Sequence, residues 1–200
     1  MNYLAHVYLS GPLAAHRVGG LLGDFVKGPL RGERPAAIEQ GITLHRAIDS
    51  WVDRQTEVAE FHQFLPPAWR RYAGIVCDIY FDHLLANHWA LYHTATLDSF
   101  CGDFYSELND HFADLPPAAQ HFARTAPRVG WLQGYRKREH LPIILQRVGQ
   151  RFKKPVALEQ LLDPLSYNST GIEKSFFALF PRLIDYSAQQ RQNLTTASPH

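Results

Sequence analysis

The segment Ile75-Val76-Cys77-Asp78-Ile79-Tyr80-Phe81-Asp82-His83-Leu84-Leu85 constrains the fold more than any other. It is apolar nearly all round, and a helix without a polar face is one that other elements surround. Asp78 and Asp82 nevertheless sit at i,i+4, on one side of that helix. Neighbouring carboxylates repel, and each is costly in apolar surroundings unless it is paired or metal-bound. An exposed stripe, or pairing with Arg70 or Arg71, is one solution. A divalent cation is the more economical one, because a single ion neutralises both carboxylates and takes oxygen ligands readily.

The rest of the chain can supply the surrounding helices. Gly11-Pro12 closes a short apolar opening segment, Met1–Ser10, and starts a helix that runs to about Lys27, before Gly28-Pro29. Pro35 to about Leu65 reads as one long helix, with Ile38, Ile42, His45, Ile48 and Val52 at helical spacing. Further helices are expected over Ala68–His93, Leu97–Leu115, Ala118–Arg124, Leu141–Phe152 and Thr170–Gln192, the last kinked at Pro181. No run alternates with period two and no Asn-Gly hairpin turn occurs, so the class is all-α. The expected organisation is one helical domain over residues 1–193 and a polar, frayed tail over 194–200.

With 200 residues and 46% hydrophobic content, the chain can bury a full core and is too apolar for disorder. No apolar stretch is long enough to span a bilayer, and Met1–His6 has neither a basic n-region nor a cleavage pattern. Cys77 and Cys101 are too few for a disulfide framework, so the expected location is the cytoplasm.

A second constellation lies on the preceding helix. His45 and Asp49 are at i,i+4, Asp53 continues their face, and Arg46 can neutralise a carboxylate or hold a phosphate. Two antiparallel helices joined at Pro66-Pro67 could set this stripe against Asp78 and Asp82, as helix bundles do when they build metal sites. Asp24 follows Gly19-Gly20-Leu21-Leu22-Gly23, whose glycines permit close helix approach. His6 sits in the apolar Tyr3–Leu9, and His88 precedes Trp89; a histidine so placed is more often a satisfied core residue than a ligand. Seven of the 11 histidines fall within the first 93 residues.

Net charge is only +1, which disfavours nucleic-acid binding. Between Gly134 and Lys154, however, Arg136, Lys137, Arg138, Arg147, Arg151, Lys153 and Lys154 face a single anion, Glu139. Such a stretch is either a solvated face or a surface for an anionic partner.

The ordered set Asn2-Tyr3-Leu4-Ala5-His6, Gly23-Asp24-Phe25-Val26, His45-Arg46-Ala47-Ile48-Asp49, Asp78-Ile79-Tyr80-Phe81-Asp82-His83-Leu84-Leu85 and His88-Trp89 resembles the acyl carrier protein phosphodiesterase family. Trp131-Leu132, Tyr135-Arg136 and Phe176–Arg182 extend the likeness over nearly the whole chain. The family is regarded as a divergent relative of the HD phosphohydrolases, helical enzymes that hold metal with His and Asp; here Asp82-His83 reverses the usual dipeptide. The resemblance implies hydrolysis of the phosphodiester between 4′-phosphopantetheine and a serine of holo-acyl carrier protein. It implies a metal set of Asp24, His45, Asp78 and Asp82, with Asp49 and His83 close by. Mn²⁺ is expected, with Mg²⁺ the alternative. Catalytic roles then fall to Asp24, Arg46 and a histidine proton donor among His6, His83 and His88. The basic residues from Arg136 to Lys154 become the docking surface for the acidic carrier protein. The alternatives are an HD-like hydrolase of a nucleotide or other small phosphate ester, and a non-catalytic helical binder of an acidic protein. No phosphate loop, zinc-protease helix or serine-nucleophile elbow is present.

Overall fold

The structure, a computed structural model, describes residues 1–196. They form ten α-helices and no strand: α1 (Tyr3–Leu9), α2 (Ala14–Leu22), α3 (Ala36–Val52), α4 (Thr56–Phe61), α5 (Ala73–Asn87), α6 (Leu97–Asp110), α7 (Pro117–Val129), α8 (Leu141–Gly149), α9 (Leu162–Tyr167) and α10 (Ser169–Thr196). The class is all-α and the helices share one core. No helix among the described residues is long and apolar enough to cross a membrane.

Helix α5 is the central element, packed by α1, α4, α8, α10 and the turn at 133–136. Its residues Val76, Cys77, Ile79, Tyr80, Phe81, Asp82, Leu84 and Leu85 are buried, as an all-round apolar helix requires. Cys77 and Cys101 are buried free thiols.

Several boundaries differ from the sequence expectation. The long helix expected from Pro35 to Leu65 breaks after Val52 and resumes at Thr56. Val58 lies six residues beyond Val52, about 240° further round a continuous helix. The break lets both side chains reach the core, where Val52 and Val58 are buried. Helix α2 stops at Leu22 rather than Lys27, which leaves Asp24 just past its end. Helix α8 stops at Gly149, where the chain folds back and Val156 N–H donates to Gly149 O. Arg151 and Lys154 are therefore not on a helical face with Arg147. Helix α7 is longer than expected and ends at Gly130, in the left-handed conformation with φ of 56°. Helix α9 was not foreseen. Helix α10 contains Pro181 and continues through Thr196, so the first residues of the expected tail are helical; residues 197–200 lie outside the described residues.

The closest helix pair is α2 with α3, and glycine makes it possible. A Cβ on Gly19 would stand 2.2 Å from Ile38 O and 2.7 Å from Gly41 Cα; one on Gly41 would stand 2.4 Å from His16 O. These obstacles are backbone and cannot move aside. Gly19→Ala is expected to destabilise the protein by about 1–3 kcal/mol through overpacking. Gly74→Ala, on α5 with nothing near the new methyl, is expected to stabilise by about 0.5–1 kcal/mol. Urea unfolding of the two variants checks both signs.

Candidate metal centre and its cleft

Helix α1 brings His6 to the His45/Asp49 stripe of α3, and the three side chains form a compact cluster. Their ligand-capable atoms all lie within 4.8 Å of one another. His6 Nε2 is 3.0 Å from Asp49 Oδ1, and His45 Nε2 is 3.1 Å from Asp49 Oδ2. The two imidazoles stack with centroids 3.7 Å apart. Both histidines are buried, whereas the Asp49 side chain is 42% exposed, so the cluster opens to solvent.

The donor pattern fits a cation. His45 Nδ1 lies 2.7 Å from Gly20 O. A carbonyl only accepts, so Nδ1 carries the proton. In the neutral ring Nε2 then points a lone pair at a carboxylate oxygen, which is favourable only with a proton or a cation between them. Despite its short distance to Asp49, His6 Nε2 is out of line for a hydrogen bond, and neither ring nitrogen of His6 has a hydrogen-bond partner. A buried imidazole with both nitrogens unsatisfied is costly. Burial, with His45 beside it, lowers the His6 pKa to about 3, against the pull of Asp49. Burial alone would raise Asp49, but the adjoining His45 and His6 imidazoles and the Met1 ammonium outweigh it and hold the carboxyl below its ordinary range.

Asp78 and Asp82 are kept apart by different partners. Asp78 Oδ1 accepts from the Met1 amino group at 2.8 Å, and the same amine lies 3.6 Å from Asp49 Oδ1. Burial disfavours the ammonium, yet Asp78 and Asp49 outweigh it and raise the amine to about 11. Asp82 is fully buried and accepts from Leu4 N–H (2.8 Å) and Ala5 N–H (3.1 Å), both of its oxygens being used on the first turn of α1. It therefore positions His6, and its carboxylate oxygens do not face the cluster's ligand atoms. The expected approach of the His45/Asp49 stripe to Asp78 and Asp82 is altered by α1, which lies against both α2 and α5.

The other sequence candidates separate. Asp24 is exposed on the wall of a cleft, where desolvation raises its carboxyl pKa, His45 opposing. Arg46 Nη2 donates to Val26 O at 3.0 Å and braces the turn after α2. His83 Nδ1 is 2.7 Å from Tyr135 O, and His88 packs on Phe177, so neither is brought into the cluster. Asp53 is exposed just past α3. Arg136 pairs with Asp98 at 3.4 Å, Arg138 donates to Ser166, and Lys137, Lys153 and Lys154 are exposed. Arg147 lies 5.1 Å over the Trp131 ring, and Arg151 reaches the Tyr3 hydroxyl.

Two connected depressions adjoin the cluster. The inner one, about 160 Å³, is bounded by Met1, Asp24, Asp78, Tyr135, Arg147 and Arg151. The outer groove, about 790 Å³, runs beneath α7 past Phe25, Phe122 and Val129. Tyr3, Trp131 and Tyr135 are wall residues that sequence reasoning did not single out as a site; aromatic side chains in a helical protein read as core. Gly23 was flagged only as a packing residue. Its Cβ would stand 2.1 Å from His45 Cγ, so glycine there makes room for the ring.

An all-α protein with a buried His/His/Asp cluster under a partly basic cleft is the class that fold and site define. The chain belongs to the acyl carrier protein phosphodiesterase family, whose model matches residues 1–183. It is 31% identical to the acyl carrier protein phosphodiesterase of Klebsiella pneumoniae over 92% of this chain and 96% of that one. The Yersinia pestis protein of the same name is 30% identical over 96% of this chain and all of its own length. No solved structure matches the chain.

Asp82 makes stability depend on pH. Burial, partly offset by the two amides, raises its pKa from 3.8 to about 7. Between those values the native protein holds a proton that the unfolded chain has released, so this residue's contribution to stability falls as pH rises. Asp82→Asn keeps one acceptor and cannot ionise. Denaturant melts below and above this window are expected to show the variant gaining on the parent as pH rises. Asp82→Leu instead orphans two buried amides, at about 1–3 kcal/mol each.

Proposed function

We propose that this chain hydrolyses the phosphodiester joining 4′-phosphopantetheine to the serine of holo-acyl carrier protein, releasing apo carrier protein and 4′-phosphopantetheine. The observation that carries the reading is the His6/His45/Asp49 cluster, with its unsatisfied imidazole nitrogens, beside a cleft flanked by two arginines. Membership of a family bearing this activity's name supports it.

His6, His45 and Asp49 would hold a divalent cation, with Asp24 facing them from the cleft wall. The mixed imidazole and carboxylate set favours Mn²⁺ over Mg²⁺, which prefers oxygen-rich shells. When bound, such an ion polarises a phosphoryl oxygen and makes water more acidic. The bond from phosphorus to the serine oxygen breaks, water oxygen joins phosphorus, and the serine oxygen takes a proton. Asp24 is the cleft carboxyl engaged neither by backbone amides nor by the Met1 amine, and it serves as the proton carrier. His83 and His88 face elsewhere and have no part in this step. Arg46 orders the turn that presents Asp24.

Exposed Arg136, Lys137, Arg138, Lys153 and Lys154 offer an acidic carrier protein a complementary surface, acting mainly on the association rate. A reducing cytoplasm suits this reading, since Cys77 and Cys101 are free thiols.

Incubation of the protein with holo-acyl carrier protein and Mn²⁺ is expected to lower the carrier's mass by one phosphopantetheine. Asp49→Ala or His45→Ala should reduce kcat/KM by more than about a hundredfold, since even residues that merely orient metal ligands cost 10–100-fold. Full activity in either variant, or after exhaustive chelation, refutes the metal mechanism. Lys153→Glu with Lys154→Glu should raise KM in a salt-sensitive way and leave kcat unchanged; hydrolysis of small phosphate esters with no response to these charges favours the small-ester alternative.

A further inference from the structure

The inner depression and the outer groove share Tyr3, Asp24, Trp131, Arg147 and Arg151 as walls, and the inner one reaches Met1, whose amine lies 3.6 Å from Asp49 of the cluster. We infer that this depression seats the prosthetic group itself: Arg147 and Arg151, with the Tyr135 hydroxyl and the Trp131 indole N–H, take the phosphate, and the pantetheine chain lies along the groove beneath α7. The inference rests on the carrier-protein reading above and specifies where its substrate binds.

Four donors converge on the inner end. Neither Arg147 nor Arg151 is paired with a carboxylate among the described residues, unlike Arg17 with Glu107 or Arg182 with Glu57. Arg147 is held over Trp131 by its guanidinium face, which leaves the N–H edge for a planar or tetrahedral oxyanion. Tyr135 is fully buried, and its hydroxyl has no hydrogen-bond partner. The Trp131 Nε1–H points toward that hydroxyl and lowers its pKa against burial, but the two are not aligned for a full hydrogen bond, so neither is satisfied by protein alone. Buried donors left without acceptors are rare, and two together on a cleft wall mark where an acceptor-rich ligand belongs.

The outer end has different chemistry. Phe25, Phe122, Ala126 and Val129 make an apolar floor, while His121 and Thr125 supply scattered polar groups. At about 790 Å³ the groove has the size of a small-molecule site rather than of a protein helix. A linear chain with two amides and a dimethyl-substituted carbon, one end bearing phosphate, matches this sequence of surfaces. The exposed cations thereby divide. Arg147 and Arg151 read the phosphate inside the cleft, and the remainder of the basic stretch is left for the carrier's outer surface.

The test is calorimetric titration of the protein with free 4′-phosphopantetheine and, separately, with pantetheine lacking the phosphate. The phosphorylated ligand is expected to bind at least about tenfold tighter, the effect of charge-assisted hydrogen bonds. Arg147→Ala with Arg151→Ala should erase that difference. Ala118→Trp, an exposed position on the groove wall, should weaken both ligands about tenfold by filling the groove. Equal affinity for the two ligands, or no response to Ala118→Trp, overturns the assignment. Carrier hydrolysis is followed in parallel by mass. Turnover without phosphopantetheine binding refutes the seat and leaves the hydrolase reading intact; binding without turnover supports the seat and refutes the hydrolase reading.

Discussion

A buried carboxylate holding the first turn of another helix is the contact on which the candidate centre depends. Asp82 lies on α5 with no exposed surface, and its two oxygens accept the N–H groups of Leu4 and Ala5. Those amides have no partner within a helix that has just begun, so they need an external acceptor. Burying an anion costs several kcal/mol. Two charge-assisted hydrogen bonds and the positive end of α1 offset much of that cost. The consequence is geometric: once the first turn of α1 is pinned to α5, His6, the residue after Ala5, is delivered to α3.

The other half of the centre depends on how closely helices can approach. Gly19 and Gly41 let the α2 and α3 backbones meet, and Gly23 leaves room for the His45 ring. His45 then reaches Gly20 O with Nδ1 and presents Nε2 to Asp49. The imidazole tautomer is thus set by a backbone carbonyl on the neighbouring helix, the usual outer-shell device for orienting a ligand. A side chain at Gly19 or Gly41 would part the helices and one at Gly23 would displace the ring, so the glycines bear on chemistry although none of them carries a functional group.

Much of this was legible in the sequence, and the failures have physical causes. The all-round apolar character of residues 75–85 marked the central helix, and the absence of period-two alternation gave the class. The His45/Asp49 stripe was visible because i,i+4 spacing is a local property. The position of α1 was not. Nothing local says that a seven-residue helix will lie against α5, so Asp78 and Asp82 read as a pair facing a common ion, whereas an amine and two amides answer them separately. His83 and His88, candidates as proton donors by residue type, lie away from the cluster, against Tyr135 O and Phe177, contacts distant in sequence. Arg147 and Arg151 were recognised by charge, but their place in the cleft depends on the α8 terminus at Gly149 and on Trp131, contacts distant in sequence.

Charge is layered from the cluster outward, and the layering bears on what can enter. Asp49, Asp78 and Asp24 make the side toward the cluster acidic, and the Met1 amine is set against them there. Such a field repels a phosphate. Arg147 and Arg151 line the same depression, so an anionic ester is attracted by the arginines and repelled by the carboxylates. A cation among the histidines reverses the sign of the repelling side. With a cation held by His6, His45 and Asp49, both sides of the depression would attract a phosphate, and its scissile bond would be drawn toward the cluster as well as toward the arginines. A metal and the arginines would then not be independent contributors: the arginines would bring the anion to the cleft, and a loaded cluster would let it settle at the inner end. Their effects should be non-additive, because removing either leaves the other acting on a phosphate in the wrong place.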